Sequence, residues 1–254
     1  MRRPLAERIL LPLGAAAALL ALWWLAVRVT GATVFPSPAD VLKGIGELAR
    51  RGVLLSYIAD SLVRVGIGFG LAIVVGIPLG ILSGWFDLLD RALSPLIQSL
   101  RPISPIAWMP LAVIWFGIGN AAPVFLIFLG GVFPLVVAAA DGVRNVPSIY
   151  LRAGSNFGLS TLGVLRRVVF PASLPSILTG LRIALGISWL VLVAAEMIAV
   201  DSGLGYLIID ARNAGKRYDL VVAGMLLIGL IGLLLDTGMR SVERLPSVRW
   251  GFHD

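Results

Sequence analysis

Apolar residues run along this chain in stretches long enough to cross a bilayer, and most of the charges fall between them. A helix rises about 1.5 Å per residue, so roughly 20 consecutive apolar residues span the hydrocarbon core. Six stretches meet that length, at about 9–29, 61–85, 93–116, 122–141, 175–200 and 219–238. The pattern predicts an all-α, polytopic integral membrane protein with about six transmembrane helices, forming one domain over 1–254. The third stretch holds Pro95, Pro102, Pro105 and Pro110 with Arg101 among them, so its helix is expected to be kinked or broken. Irregular backbone at that depth is tolerated only beside protein or water. The first stretch follows Arg2, Arg3 and Arg8 as a secretory signal would. It is longer than a signal core and has no small-x-small cleavage site, so it reads as a retained span.

Shorter patterns add detail. Residues 36–60 begin Pro-Ser-Pro-Ala-Asp and place Val41, Leu42, Ile45 and Leu48 at helical spacing, which predicts an amphipathic helix at the outer interface. Gly76, Gly80 and Gly84 recur every fourth residue of the second span, allowing another helix to approach closely. Gly66, Gly68 and Gly70 lack the strand-then-helix setting of a dinucleotide site.

Composition agrees. The 254 residues are 58% hydrophobic and only 14% charged, with a mean hydropathy of +0.95; soluble domains are about a quarter charged. The net charge of +7 does not point to nucleic acid, because the cations lie between apolar runs and form no basic face or tail. Arg2, Arg3, Arg8, Arg91, Arg144, Arg152, Arg166, Arg167, Arg240, Arg244 and Arg249 fall on one side of the six-span scheme. Lys43, Arg50, Arg51, Arg212, Lys216 and Arg217 fall on the other. That bias puts both termini in the cytoplasm. There is no Cys, and the lone His253 makes no metal cluster.

Charges inside spans need a partner, water or a role. Arg64 is near enough to a span end to snorkel, and Arg182, near the cytoplasmic end of the fifth span, is expected to anchor or pair. Arg101 stands at the proline breaks with Ser104, Trp108 and Met109 close behind, where a guanidinium can meet an anion through several donors or can satisfy carbonyls freed by the kink. Glu196, near the outer end of the fifth span, is a candidate for a gate, an inter-subunit contact or a plain interfacial carboxylate.

The loop at 142–175 is predicted to be a cytoplasmic helix–turn–helix knob. Pro147 opens a first helix, Gly158 supplies the turn and Ser160 caps a second. On the second helix Leu162, Leu165 and Val169 share a face with Arg166 and Arg167 off it, and Pro171 and Pro175 are expected to stop it before the fifth span. By itself this is also compatible with a helix resting on lipid phosphate.

The loop resembles the signature loop of ATP-binding-cassette importer permeases, in which Glu-Ala-Ala is followed by a Gly and later by Leu-Pro. Arg152-Ala153-Gly154, Gly158 and Leu174-Pro175 occupy those places, with Arg for the acidic residue and Gly for the second Ala. Phe35-Pro36-Ser37-Pro38, Leu100-Arg101-Pro102-Ile103-Ser104-Pro105, Ala107-Trp108, Trp115-Phe116-Gly117-Ile118-Gly119, Ala195-Glu196-Met197 and Gly203-Leu204-Gly205-Tyr206 are similar to the nitrate/sulfonate/taurine-type permeases in the same order. The resemblance implies a type I importer permease fold in a bacterial plasma membrane. It further implies a second copy of the chain, two cytoplasmic ATP-binding subunits that hold ATP and Mg, and an extracytoplasmic solute-binding protein. Arg152, Ala153, Gly154, Gly158, Leu159, Ser160 and Leu162 would then contact the ATPase. The fifth helix would flank the pathway, which adds Ser188 and Trp189 to Arg101, Ser104, Trp108, Met109 and Glu196 as candidates.

The chain itself has no phosphate-binding loop, since Gly215-Lys216 runs into Arg217 with no upstream Gly at the required spacing. No cofactor site and no catalytic constellation is apparent. The expected solute is a small oxyanion such as nitrate, an alkylsulfonate or taurine. A self-sufficient secondary transporter, the main rival, should show internal repeats and paired ionisable residues at the midplane, and neither is evident.

Overall fold

The structure, a computed structural model, describes residues 5–30 and 35–243, and every regular element among them is helical. Helix α1 (Leu5–Thr30) leads to the short α2 (Pro38–Arg50), followed by α3 (Val53–Trp85), α4 (Asp87–Leu100), a 3₁₀ turn (Pro105–Trp108) and α5 (Met109–Phe116). Then come α6 (Ala121–Arg144), α7 (Ser148–Asn156), α8 (Thr161–Val164), a π turn (Leu165–Val169), α9 (Phe170–Ala199), α10 (Leu204–Gly215) and α11 (Tyr218–Glu243). The charge-bias residues Arg2, Arg3, Arg244 and Arg249, and His253, lie outside the described residues.

Among the described residues, five helices are individually long and apolar enough to cross a membrane: α1, α3, α6, the run ending in α9, and α11. The third predicted stretch is not a sixth such helix. It divides into α4, the 3₁₀ turn and α5, because Pro102 and Pro105 lack the amides that would bond to the carbonyls of Gln98 and Arg101. Pro110 is harmless in the first turn of α5.

The packing of α3 on α6 shows what these pieces do. Gly68 meets Ile127, Gly76 meets Leu135, Gly80 meets Ala139 and Gly84 meets Val143, so the two helices run parallel in constant register. Both therefore end on the same side, called here the Arg144 side. The chain between Trp85 and Ala121 must return across the whole thickness. From Gly68 to Gly84 that thickness is roughly 24 Å of helix rise, and α4 with the 3₁₀ turn and α5 covers it in two steps. A sixth crossing, where the sequence pattern places one, has to be made by these two half-length pieces.

Helix α9 runs antiparallel to α6, with Gly131 against Ser188 and Gly142 against Ser173 and Ser176. Helix α11 is antiparallel to α9, with Gly232 against Trp189 and Arg182 paired to Asp236 at 2.6 Å. Arg182 is thus a pairing residue, as expected. Trp23 donates to the carbonyl of Pro36 at 3.1 Å, tying α1 to the start of α2. Helix α2, capped by Ser37, buries Val41, Gly44 and Leu48. It lies on α11, for Gly44 faces Leu220 and Arg217 bonds to Glu47 at 2.6 Å. That guanidinium holds the Glu47 carboxyl below the usual range.

One expectation fails in the segment after Ser160. Pro171 and Pro175 do not stop the helix, which continues from Thr161 to Ala199. The π turn just before Pro171 opens the ladder where a proline ring would clash, and the Thr179 hydroxyl bonds to the Pro175 carbonyl at 3.1 Å. The same turn inserts an extra residue and rotates the register. Leu162 therefore faces outward while Val164 and Val169 are buried against Val143 and Val146, so Leu162, Leu165 and Val169 do not form one face.

Candidate functional site

The break after α4 leaves a distinctive side chain on one face of the molecule. Arg101 ends α4, its amide bonded to the Ile97 carbonyl at 2.9 Å. Its guanidinium makes no hydrogen bond or ion pair with any described residue, so it does not serve to satisfy kink carbonyls. It lines three adjoining concavities. One of about 350 Å³ is walled by Pro134, Ala138, Asp141, Thr179 and Gly180. Another of about 170 Å³ is walled by Pro105, Trp108, Phe133 and Ile187. The third, of about 370 Å³, is the most polar and is walled by Ser83, Ser94, Gln98, Asp141 and Arg144. Together they form a trough from the 3₁₀ turn towards the Arg144 side, bounded by α4, α6 and α9. Asp90 organises the polar end by accepting from Ser83 at 3.2 Å, from Ser94 at 2.5 Å, and from Arg144.

The other pathway candidates divide. Ser104 is exposed beside the trough and Trp108 lines it. Met109, Ser188, Trp189 and Glu196 are buried within the chain and line none of the three concavities. Met109 packs with Ala112 and Ala122. The Ser188 hydroxyl donates to the Ile127 carbonyl at 3.3 Å, and the Trp189 indole to the Ile228 carbonyl at 3.2 Å. Both point into helix contacts, a facing that helical periodicity alone could not settle in a span apolar all round.

Glu196 belongs to a buried polar cluster. It is completely buried, and one oxygen accepts from Arg64 at 2.6 Å while the Ser61 hydroxyl lies 2.8 Å away. The other accepts from the Gly205 amide at 2.9 Å. Arg64, only 4% exposed, also bonds to Asn120 at 2.8 Å and to the carbonyl and hydroxyl of Ser202. Arg64 therefore does not snorkel. This cluster, on the side opposite Arg144, ties α3, the start of α6, the end of α9 and the turn into α10. Gly203 makes room for it, with φ at 107° in the left-handed region and any Cβ placed 2.4 Å from the carboxylate. The missed signal was pairing: Arg64 and Glu196 are opposite charges near the same ends of two apolar spans, and charges at depth seek partners.

On the Arg144 side, α7, Gly158 and α8 form the predicted knob. Gly158 turns the chain at φ 77°, and the Ser160 hydroxyl accepts from the Gly163 amide at 3.2 Å. Gly154 lies within about van der Waals reach of Val164 and Val168, so a methyl there would fit and the Gly-for-Ala departure is structurally mild. Val143, Val146, Val164 and Val169, with Trp85, seat the knob on the ends of α3 and α6. Its outer surface is unusually apolar: Phe157 is 88% exposed, and Ile149, Tyr150 and Leu162 are also exposed. Arg152, Ala153, Ser160, Arg166 and Arg167 are exposed beside them, and Leu159 is half-buried.

A crossing broken at an arginine that pairs with no described residue has no use in an inert anchor, and it points to a membrane permease. The chain belongs to the family of binding-protein-dependent transport system inner membrane components, whose model matches residues 76–247. It is 37% identical over 252 residues to a taurine transport system permease protein of Escherichia coli, covering 96% of this chain and 90% of that one. It is 41% identical over 183 residues to a nitrate import permease protein of Leptolyngbya laminosa, covering 72% of this chain and 65% of that one. A bicarbonate transport system permease protein of Synechococcus elongatus is 37% identical over 253 residues, 94% of this chain and 89% of that one. Among solved structures, an inward-facing methionine ABC transporter superposes with a TM-score of 0.67 at 17% identity, covering 81% of this chain and 99% of the other. That likeness establishes the type I importer permease fold.

Proposed function

We propose that this chain is the membrane subunit of an ATP-driven importer of small anionic solutes, and that Arg101 is the residue of the pathway that meets the anion. Two copies would enclose the path between their troughs. Two cytoplasmic subunits would bind ATP and Mg, an extracytoplasmic protein would deliver the solute, and both termini would face the cytoplasm of a bacterial cell. The observation that carries the reading is the free guanidinium of Arg101 at the common wall of three concavities. The relatives named for taurine, nitrate and bicarbonate transport support a small cargo that carries an oxyanion group. A charge-assisted hydrogen bond to an oxyanion contributes about 1.5–3 kcal/mol. Arg101→Ala should therefore lower uptake at subsaturating solute roughly tenfold or more, with unchanged insertion and assembly. Wild-type uptake by a correctly inserted Arg101→Ala protein would remove the arginine from the pathway.

The exposed apolar knob fits a docking partner of the same character better than it fits lipid phosphate, and it would carry the partner's motion into α6 and α9. A side chain with a Cβ at position 158 must adopt a left-handed backbone at a cost of about 1–2 kcal/mol. Gly158→Val is expected to uncouple ATP hydrolysis from solute addition while leaving the purified permease as heat-stable as before to within a few degrees. Full stimulation of hydrolysis by solute in that variant would place the coupling contact elsewhere.

A further inference from the structure

Helix α4 is held to the rest of the molecule by little more than one side chain. None of its residues is buried, and the half-buried ones, Asp90, Leu93, Ser94 and Ile97, recur at helical spacing on the single face turned towards α3 and α6. Ile97 packs on the apolar cluster of α3 and α6. Behind the rest of that face lies the concavity of about 370 Å³, with Ser94, Gln98 and Arg101 on one wall and Ala140, Asp141 and Arg144 on the other. Among the described residues, Asp90 is the one side chain of α4 that bonds to another helix, accepting from Ser83 of α3 and from Arg144 of α6. Non-helical backbone flanks α4 at both ends, at the extended Phe86 after α3 and at residues 101–104 before the 3₁₀ turn. A helix with a hinge at each end, a void behind it and one polar tie is free to rock as a unit.

The tie stands where the knob meets the spans. Arg144 is the last residue of α6, and Val143 and Val146 on either side of it pack in the cluster that seats the knob, as does Trp85 beside the Phe86 hinge. About three turns along the same face of α4 from Asp90, roughly 16 Å of helix rise, stands Arg101. We infer that α4 is a rocking arm, and that Asp90 and Arg144 are the positioning residues that pass the knob's motion along it and so move Arg101 within the trough. The inference rests on the importer reading, in which the knob takes up motion from an ATPase, and adds the route by which that motion reaches the solute. Arg144 and Asp90 remain 41% and 31% exposed, so their pairing biases an equilibrium by about two- to fivefold and does not lock it, as a repeatedly broken contact requires.

The chain has no Cys, so Gln98→Cys, on the wall behind α4, is a clean reporter. Its reaction rate with a membrane-impermeant thiol reagent is measured in the purified complex in lipid nanodiscs, first without nucleotide and then trapped with ATP and vanadate. The two rates should differ by about threefold, within the range that one partly exposed ion pair controls. Adding Asp90→Asn should erase most of the difference, because an amide oxygen still accepts from Ser83 and Ser94 but carries no charge for Arg144. Asp90→Glu should keep it. Equal rates in a complex that hydrolyses ATP would show that α4 does not move. A difference that Asp90→Asn leaves intact, or that Asp90→Glu loses as fully, would show that the ion pair does not carry the motion. Each of these results would overturn the arm and leave the importer reading standing. Recovery of the chain with no ATPase would overturn the importer reading and the arm with it.

Discussion

Glu196→Ala is expected to cost the permease about 3–5 kcal/mol of stability, the usual consequence of removing one partner from a buried ion pair. The carboxylate is fully buried and joins Ser61, Arg64 and the Gly205 amide. Without it Arg64 stays buried with only the neutral acceptors Asn120 and Ser202, and a guanidinium cannot shed its charge. Arg64→Ala should be milder, because Glu196 would keep its bonds to Ser61 and Gly205 and can take up a proton. A double change of Arg64 to Met and Glu196 to Leu should lose less than the two single changes together, since no buried charge is left behind. Melting in detergent, followed by size exclusion after heating, checks the order; thiol dyes are useless in a chain without Cys. A Glu196→Ala protein that melts like wild type would mean that the cluster contributes nothing to holding α3, α9 and α10 together.

The second large effect is expected at Gly80. A Cβ there would lie 2.4 Å from the Val136 carbonyl oxygen and 2.6 Å from the Ala139 methyl. Neither is the flexible end of a side chain, so α3 and α6 must separate. Overpacking in a close-packed interior costs about 1–3 kcal/mol, occasionally more. Gly80→Val should reach or exceed the upper end, because both γ-methyls add to the clash. Gly70 is the control: it lies in the same helix, nothing stands within 4 Å of its Cβ position, and Gly70→Ala should be neutral or slightly stabilising. Accumulation in membranes and melting temperature would separate the two. Equal behaviour of Gly70→Ala and Gly80→Val would show that α3 does not pack on α6 through this face.

Both predictions concern residues whose importance the sequence shows unequally. The four-residue spacing of Gly76, Gly80 and Gly84 announced a close helix contact, since nothing but small side chains permits one. It could not say which helix would lie there, nor that the contact would be parallel. Gly66, Gly68 and Gly70 look alike as letters, yet only Gly68 touches a neighbouring helix. Arg64 and Glu196 were each noticed as charges in apolar spans, but they are 132 residues apart and nothing local links them. The knob was legible because Pro147, Gly158 and Ser160 act through short-range chemistry, and each does what its residue type favours. Pro171 and Pro175 misled, because a π turn and packing by neighbouring helices sustain a membrane helix through prolines that would end one in water.

The sequence by itself determined the solvent, the crossing pattern and the places where the backbone had to break or turn. Those features follow from transfer energy, from helix rise and from the missing amide of proline, all of which act within a few residues. Tertiary structure alone decided which charges meet. It buried Glu196 on Arg64, left Arg101 in a trough without a partner among the described residues, and set Asp141 on the adjoining wall. In a span apolar on every side, the sequence does not say which face turns to protein, which to lipid and which to the path of the solute. That assignment is made by the packing of helices against one another, and with it the candidate function of each polar residue.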